Sequence, residues 1–348
     1  MATSSIKFHT VSVLLFILLI SFTSQTLGES ETESRGECGS KSSGGCEDKA
    51  KSLVLKLIAI ASILVTSMMG VCLPLFSRGV QALKPDRDLF ILVKAFASGV
   101  ILATGYMHVM PDSFDCLTSV CLPENPWRKF PFTTFIAMLS ALLTLMVDSF
   151  GLSYYKKYCC DSNRVTDGAV ELQGHCHGMV GLDDKASQLV RYRVVAQVLE
   201  VGIVVHSVVI GLSLGASDNP CTIKPLVAAL CFHQLFEGMG LGGCILQAEY
   251  GLRIKAIMVF FFSATTPFGI ALGIGLSHVY RENSPTALIV VGILNASSAG
   301  LLNYMALVDL LASDFMGPKL QASMKLQIWA YVAVFLGAGG MSLMAKWA

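Results

Sequence analysis

Eight long apolar stretches separated by short polar segments make up most of this chain. Each is close to the length of about 20 residues that an α-helix needs to cross the hydrocarbon core of a bilayer. Because backbone polar groups facing lipid must be hydrogen-bonded within the segment, stretches of this length predict helices rather than strands. The predicted helices cover residues 53–76, 90–110, 132–152, 194–216, 224–246, 256–276, 286–311 and 326–345.

The longest polar segment, residues 153–193, divides these helices into a group of three and a group of five. It contains glycine and shows no apolar periodicity, which is typical of disordered chain. The pattern therefore predicts an all-α fold, a polytopic membrane helical bundle with eight transmembrane helices in a 3+5 arrangement. Helices one to three lie within residues 53–152, and helices four to eight lie within residues 194–348.

The first 28 residues have the pattern of a secretory signal peptide. Lys7 and His9 precede an apolar run from Val11 to Ile20, and the segment ends at the small residue Gly28. The apolar run is short for a membrane span, although an uncleaved anchor is the alternative. In both cases the polar N-terminal tail, residues 29–52, is predicted to be extracellular.

Lysine and arginine residues indicate the same orientation. If the N-terminal tail lies outside, most loop lysines and arginines fall on the inside, many of them in segment 153–193. Cytoplasmic loops of membrane proteins carry this excess. We therefore expect a cytosolic 153–193 loop and an extracellular C-terminus, and the signal segment favours a location in the plasma membrane.

Composition excludes a soluble nucleic-acid-binding protein. Charged residues make up 14% of the chain, hydrophobic residues make up 53%, and the net charge is +1. Soluble domains carry about 25% charged residues, so the deficit fits a chain whose partner is the lipid bilayer. A net charge near zero provides no basic field for nucleic acid, and no nucleic-acid partner is expected.

Ionisable side chains within the apolar helices are the candidates for function, because each costs about 2.5–3.5 kcal/mol to insert at the centre of a membrane helix. His233 and Glu237 are four residues apart in helix five and therefore share one helix face. Helix four adds His206, which has small neighbours that permit close packing. Two imidazoles and a carboxylate suit Fe²⁺, Zn²⁺, Mn²⁺ or Co²⁺ better than Mg²⁺ or Ca²⁺. The alternatives are a packing role for His206 and an internal ion pair between His233 and Glu237.

Neighbouring helices carry further candidates for a metal pathway. His108 and Asp112 have the same four-residue spacing at the outer end of helix two, where they could bind an incoming ion or form a polar cap. Asp148 and Asp309 lie near the inner ends of helices three and seven. They are candidate exit ligands, with pairing to a nearby lysine as the alternative for Asp148.

The 153–193 segment contains His175, Cys176 and His177, two imidazoles and a thiol within three residues. Such a cluster on flexible chain predicts a weak metal-binding patch, and an incidental polar loop is the alternative. Lys185 in the same segment is a candidate for modification.

Four cysteines are predicted on the outer side of the membrane, where disulfides are allowed. They are Cys38, Cys46, Cys116 and Cys121. Four cysteines permit three pairings, and the sequence does not choose among them.

Two stretches resemble the ZIP metal transporters, and within them the plant iron-regulated transporter branch. They are HSVVIGLSLG at 206–215 and HQLFEG at 233–238. The resemblance covers nearly the whole chain, including Asn125-Pro126-Trp127. It implies a metal route along helices four and five with His206, His233 and Glu237 as primary ligands. It also implies that helices two and seven contribute at the mouth and the exit.

The chain departs from the resemblance in two places. Bacterial relatives can hold two adjacent metals with an Asn and a Glu on helix four and an Asp on helix five. The matching positions here are Ser207, Ile210 and Gln234, which carry no carboxylate, so we expect a mononuclear site with Ser207 and Gln234 along the pathway. The usual run of alternating His and Gly in the loop is reduced to His175 and His177.

The expected function is transport rather than catalysis. The resemblance implies a membrane transporter that moves Fe²⁺, and also Zn²⁺, Mn²⁺, Co²⁺ and Cd²⁺, from outside into the cytosol. Fe²⁺, Zn²⁺ or Mn²⁺ is then cargo, no cofactor is expected, and a homodimer is compatible with the sequence. The alternatives are a zinc-preferring transporter of the same family and a membrane metal sensor. An intramembrane metallohydrolase is disfavoured because His-Glu-x-x-His is absent.

Overall fold

The computed structural model describes residues 48–76, 87–164, 180–277 and 284–346, although the side chains of 152 and 154–188 are not described. Eight helices in these ranges are long and apolar enough to cross a membrane. They are α1 (Lys49–Phe76), α2 (Asp88–Leu117), α3 (Phe132–Arg164), α4 (Val180–Ala216), α5 (Pro220–Gln247), α6 (Leu252–Leu276), α7 (Pro285–Phe315) and α8 (Met324–Ala345). The predicted all-α polytopic membrane bundle is confirmed.

The polar segment between the third and fourth helices is shorter than predicted. Because α3 continues to Arg164 and α4 begins at Val180, the prediction of largely disordered chain in 153–193 is wrong at both ends. Hydropathy detects the part of a helix that lies in hydrocarbon and misses polar turns that extend beyond it. Lys185 lies in α4. The predicted metal-binding patch, His175, Cys176 and His177, lies outside the described residues, as does the predicted signal peptide.

Polar side-chain caps set the beginnings of three helices, and in α5 and α7 a proline follows the cap. Asn219 precedes Pro220, and its side chain accepts a hydrogen bond of 2.9 Å from the backbone N–H of Cys221. Ser284 caps α7 in the same way by accepting from Ala287 N, and Ser323 caps α8 by accepting from Leu326 N. A side-chain acceptor followed by proline at the first helical position is a strong signal for a helix start.

Close helix pairs are built on small residues. A Cβ atom at Gly70 of α1 would overlap the backbone carbonyl of Leu235 in α5, and one at Gly211 of α4 would lie 2.7 Å from the carbonyl oxygen of Thr266 in α6. A Cβ at Gly99 of α2 would overlap the backbone of α8 in the same way. Backbones can approach to this distance only where a side chain is missing. These seams join α1 to α5, α4 to α6 and α2 to α8.

The two ends of the bundle can be distinguished by the contacts between helix ends. We call the end where α1 begins and α8 ends the tail side, and the end where α3 ends and α4 begins the loop side. On the tail side, Ser52 in α1 donates to the carbonyl oxygen of Ser217 after α4, at 3.1 Å. On the loop side, Arg193 near the beginning of the membrane span of α4 donates to the carbonyl oxygen of Ala248 after α5, at 3.0 Å. The helices therefore run alternately in opposite directions.

Burial places α4 and α5 at the centre of the bundle. In the most apolar window of each, 72% of the residues are buried, against 17% for α3 and 22% for α8. The outer helices expose large apolar side chains, such as Phe150 in α3 and Phe335 in α8, which suit contact with lipid. Polar residues on α4 and α5 are therefore shielded from the membrane by the other helices.

Two helices contain wide π turns. In α2 the π segment covers Gly105–Val109, and in α7 it covers Met305–Ala312. Such segments are rare and frequently occur at functional sites. Each contains one of the ionisable pathway candidates, His108 in α2 and Asp309 in α7.

Candidate metal centre

Helices α4 and α5 bury the three residues predicted as primary ligands. His206 on α4 and His233 on α5 are almost fully buried, and Glu237, one turn beyond His233, has no exposed surface. Gly238 follows directly, and α1 packs so closely there that a Cβ atom at Gly238 would lie 2.8 Å from the backbone nitrogen of Val71. The carboxylate therefore projects from a tightly packed part of the helix, where little movement of the backbone is available.

Three imidazole rings meet at the centre of the bundle. The ring centroids of His206 and His233 are 5.8 Å apart, and His108 from the π turn of α2 lies 6.1 Å from the first and 5.9 Å from the second. The three rings thus form a nearly equilateral triangle contributed by three helices. His108 was predicted as an outer pathway residue, and the structure places it beside the two predicted ligands.

The distances between the three rings are close to those expected for rings that bind one shared ion. An ion about 2.1 Å from an imidazole nitrogen lies about 3.2 Å from the ring centroid, so two rings that share it at the tetrahedral angle have centroids about 5.3 Å apart. The observed separations of 5.8, 5.9 and 6.1 Å each exceed that value by less than about 1 Å. Among the described residues, no group of three or more His, Cys, Asp and Glu side chains already has the arrangement needed to hold a metal.

The polar atoms around the triangle have no hydrogen-bond partners within the described part of the chain. Both ring nitrogens of His206 and His233, Nε2 of His108 and both carboxylate oxygens of Glu237 are in this state. So are Oγ of Ser207 and Nε2 of Gln234, the two residues that the sequence analysis placed along the pathway. Buried polar groups in native proteins are nearly always paired, because desolvation without a partner costs about 1–3 kcal/mol each. A cluster of this kind is expected where the groups bind something other than protein.

A second polar cluster lies toward the loop side. Tyr304 donates a hydrogen bond of 3.4 Å to Oδ2 of Asp148, which places α7 against α3. Asp309 interacts electrostatically with Asp148, and Arg191, near the beginning of the membrane span of α4, interacts electrostatically with both carboxylates. Oδ1 of Asp148 and Oδ1 of Asp309 have no hydrogen-bond partner in the described ranges. The two predicted exit candidates are therefore brought together, whereas the side chains of Lys156 and Lys157, the lysines nearest to Asp148 along the chain, lie outside the described residues.

The remaining pathway candidate, Asp112, lies toward the tail side. It is half-buried, one turn beyond the π segment that carries His108, and it interacts electrostatically with the exposed Asp115. This end of α2 is fixed by Ser113, whose hydroxyl donates to the backbone carbonyl of Gly292 in α7 at 2.7 Å. Acidic groups thus stand between the tail-side surface and the histidine triangle.

Three polar residues near the centre were not assigned by the sequence analysis. Asn303 of α7 lies so close to α2 that a Cβ atom at Gly105 would overlap its side-chain oxygen, which has no described partner. An asparagine in an apolar helix is a signal that could have been used. Ser263 and Thr266 of α6 also carry buried hydroxyl oxygens without a described partner. They gave no signal, because Ser and Thr are common at helix-packing positions.

The disulfide predictions are only partly met. Cys121 is disulfide-bonded, and so is Cys221, which the sequence analysis did not single out although it follows the tail-side turn before α5. Among the described cysteines, Cys116 is not disulfide-bonded, which corrects that part of the prediction. Its Cβ lies 3.1 Å from the position that a Cβ at Gly292 would take, so the residue faces α7 rather than the loop. Cys38 and Cys46 lie outside the described residues.

Comparisons with known proteins identify the family of this chain. The family model described as ZIP zinc transporter matches residues 53–345. The chain is 63% identical over 325 residues to Fe(2+) transport protein 1 of Oryza sativa subsp. japonica, covering 88% of this chain and 87% of that protein. It is 58% identical over 346 residues to Fe(2+) transport protein 1 of Arabidopsis thaliana, covering 96% and 97%. It is also 56% identical over 367 residues to probable zinc transporter 10 of Arabidopsis thaliana, covering 99% and 100%.

The family match includes all eight membrane helices, the histidine triangle and both acidic clusters. Each of these relatives exceeds half identity over almost its full length, so the likeness is not confined to one motif. This chain belongs to the ZIP zinc transporter family.

Proposed function

We propose that the protein carries Fe²⁺ across the plasma membrane into the cytosol through a mononuclear site formed by His108, His206, His233 and Glu237. The observation that supports this most directly is the convergence of three buried imidazoles, five of whose ring nitrogens have no hydrogen-bond partner in the described ranges. Nitrogen ligands with one carboxylate suit Fe²⁺, Zn²⁺, Mn²⁺ and Co²⁺. Because no thiolate takes part, the ion is held weakly enough to leave again.

The slightly open triangle suits transport better than storage. Closing each ring separation by less than about 1 Å would bring the nitrogens within bonding distance of one ion. Glu237, one turn below His233, would supply a fourth ligand and offset one of the two positive charges of the ion. Ser207 and Gln234 carry no negative charge, so a second adjacent cation would be poorly compensated. We therefore propose one ion per site.

The pathway extends from one side of the membrane to the other. Asp112 and Asp115 attract cations at the tail side, the histidine triangle binds one dehydrated ion at the centre, and Asp148 and Asp309 accept it toward the loop side. Asp309 lies six residues beyond Asn303, about 9 Å along the helix axis, so the second cluster is within a short step of the first. We propose that the tail side is extracellular and that the loop side is cytosolic.

The membrane potential can drive this movement without another fuel. A charge that crosses 100 mV changes its free energy by about 2.3 kcal/mol, so a divalent ion gains about 4.6 kcal/mol. That free energy corresponds to an accumulation of about a thousandfold.

The test is metal uptake by variants of the triangle. We expect His206→Ala, His233→Ala and Glu237→Ala to abolish uptake of radiolabelled Fe²⁺ in a deficient yeast strain while the proteins still reach the cell surface. Thr104→Val is the matched control, since the Thr104 hydroxyl is buried one turn before His108 but already donates to the carbonyl oxygen of Val100 at 3.0 Å. Normal uptake by the three ligand variants would overturn the site.

A zinc-preferring transporter is the second candidate, because probable zinc transporter 10 of Arabidopsis thaliana is also a close relative. The same ligands serve both ions, so the donor set does not decide between them. Competition does: excess Zn²⁺ should reduce uptake of labelled Fe²⁺ less than excess unlabelled Fe²⁺ does. The reverse order would favour the zinc-preferring transporter and would leave the site assignment intact.

A further inference from the structure

A buried lysine joins three helices on the loop side of the bundle. The ammonium group of Lys94 in α2 donates to Oδ1 of Asp314 at 3.0 Å and to Oε1 of Gln247 at 3.1 Å. The Lys94 side chain is 5% exposed, whereas that of Asp314 is 23% exposed. The three residues belong to α2, to the end of α7 and to the last position of α5. Lys94, Asp314 and Gln247 are called the loop-side latch below.

None of the three latch residues is a proposed metal ligand, but Gln247 lies on α5, the helix that carries His233 and Glu237. Gln247 lies ten residues beyond Glu237 on α5, about 15 Å along the axis. Between these two positions α5 is packed against α1, where a Cβ atom at Gly242 would lie 2.5 Å from the backbone carbonyl of Val71. Movement of the loop-side end of α5 away from α2 and α7 would therefore require the latch to open.

A buried ammonium group restricts the structure only while it is paired. Taking a charge out of water costs several kcal/mol, which the partner and additional hydrogen bonds must offset. The ammonium group of Lys94 has two such partners, the carboxylate of Asp314 on α7 and the side-chain amide oxygen of Gln247 on α5. A state in which α5 separates from α7 must instead let water reach Lys94. The latch thus stabilises the state in which the loop-side end of α5 packs against α2 and α7. One substitution in the latch can change the free energy of that state.

We propose that Lys94 is a positioning residue that holds the loop-side end of α5 against α2 and α7, and that the metal ion leaves toward the loop side when this latch opens. The second part rests on the proposed transport function. The first part concerns the protein alone and can be tested without metal.

The tail side contains a matched control. Lys56 in α1 is also buried, and its ammonium group lies 3.4 Å from Oδ1 of Asp218 in the turn between α4 and α5. Asp218 is 43% exposed, and this pair lies at the opposite end of the bundle. Loss of the Lys56–Asp218 pair should affect folding to a similar extent but should not open the loop side.

The rate at which Cys244 reacts with a thiol reagent measures opening of the latch. Its side chain is almost fully buried one turn before Gln247, and it interacts electrostatically with Lys94. The probe is a membrane-impermeant maleimide added separately to each side of sealed vesicles, with Cys244→Ser as the background. Asp314→Asn should raise the labelling rate of Cys244 from the loop side by about tenfold, the effect of one charge-assisted hydrogen bond, and Asp218→Asn should leave it unchanged.

Two further variants keep the test decisive if Asp314→Asn folds poorly because it leaves Lys94 uncompensated. Gln247→Leu removes only the neutral acceptor, and the double variant Lys94→Met with Asp314→Asn removes both charges together. Both should increase loop-side labelling, whereas Asp314→Glu should restore the rate of the unmodified protein. Unchanged labelling in both variants, or an equal rise in Asp218→Asn, would overturn the latch.

Uptake measurements separate the latch from the transport function. If the latch controls release, its variants should change the maximal rate of Fe²⁺ uptake about tenfold more than they change KM, because the ligands are untouched. An equal change in both values would contradict the release step. If the unmodified protein takes up no metal while Cys244 labelling follows the expected pattern, the proposed function fails and the latch remains.

Discussion

Gly238 offers the most direct test of how packing holds the site together. Gly238→Ala adds a Cβ atom that would lie 2.8 Å from the nitrogen of Val71 and 3.0 Å from both the carbonyl carbon of Gly70 and Cε1 of Phe262. Ordinary van der Waals contact begins near 3.4 Å. Because two of these neighbours are backbone atoms of α1, the contact can be relieved only by moving one helix away from the other.

The expected cost follows from these distances. Helix α1 must retreat by roughly half an ångström, and overpacking of this kind costs about 1–3 kcal/mol. Gly243 is the matched control on the same helix, because a Cβ atom there would lie 3.7 Å from Cζ of Phe90. Gly243→Ala meets no obstacle and should gain up to about 1 kcal/mol from helix propensity.

The assay combines stability with function. Thermal unfolding of the detergent-purified protein should occur at a lower temperature for Gly238→Ala and at an unchanged or higher temperature for Gly243→Ala. Fe²⁺ uptake per molecule at the cell surface should fall about tenfold or more for Gly238→Ala, since Glu237 is the adjacent residue and a displacement near 1 Å can cost 10²-fold in rate. Equal stability and uptake for the two variants would refute the argument that this seam positions the carboxylate.

Three further predictions concern the pathway. Glu237→Gln keeps the shape of the side chain but removes its charge, so apparent Fe²⁺ affinity in uptake assays should fall by at least about tenfold; a KM equal to that of the unmodified protein would contradict the ligand role. Asp309→Asn should lower the maximal uptake rate more than KM, whereas a change confined to KM would place Asp309 at binding rather than exit. Deletion of residues 174–178 should leave uptake in yeast largely intact if the protein is a transporter, and loss of uptake with normal surface expression would favour an essential sensing role.

The sequence was sufficient for the fold because lipid imposes a simple rule. Each helix must be about 20 apolar residues long, so hydropathy alone located all eight spans. The same rule failed at the ends of α3 and α4, since those turns extend beyond the hydrocarbon and carry polar residues. Helix continuation there depends on local propensity and packing, which hydropathy does not detect.

The site was predictable only in part. The four-residue spacing of His233 and Glu237 predicted a shared face, because that relation is local to one helix. The meeting of His108 with His206 and His233 depends on how three helices pack, and nothing in the spacing of the chain reports it. The electrostatic contact between Asp148 and Asp309 is non-local for the same reason.

The wide turn in α2 changes how spacing along this helix should be interpreted. The N–H of Met110 donates to the carbonyl of Gly105, five residues back, so one more residue than usual is accommodated before the regular helix resumes. Residues after the π turn are therefore rotated about the helix axis relative to the positions that they would take in a regular α-helix. The four-residue interval between His108 and Asp112 does not stack them as it would in an uninterrupted helix, and a single-residue deletion within Gly105–Val109 would turn the entire tail-side end of α2 relative to the bundle.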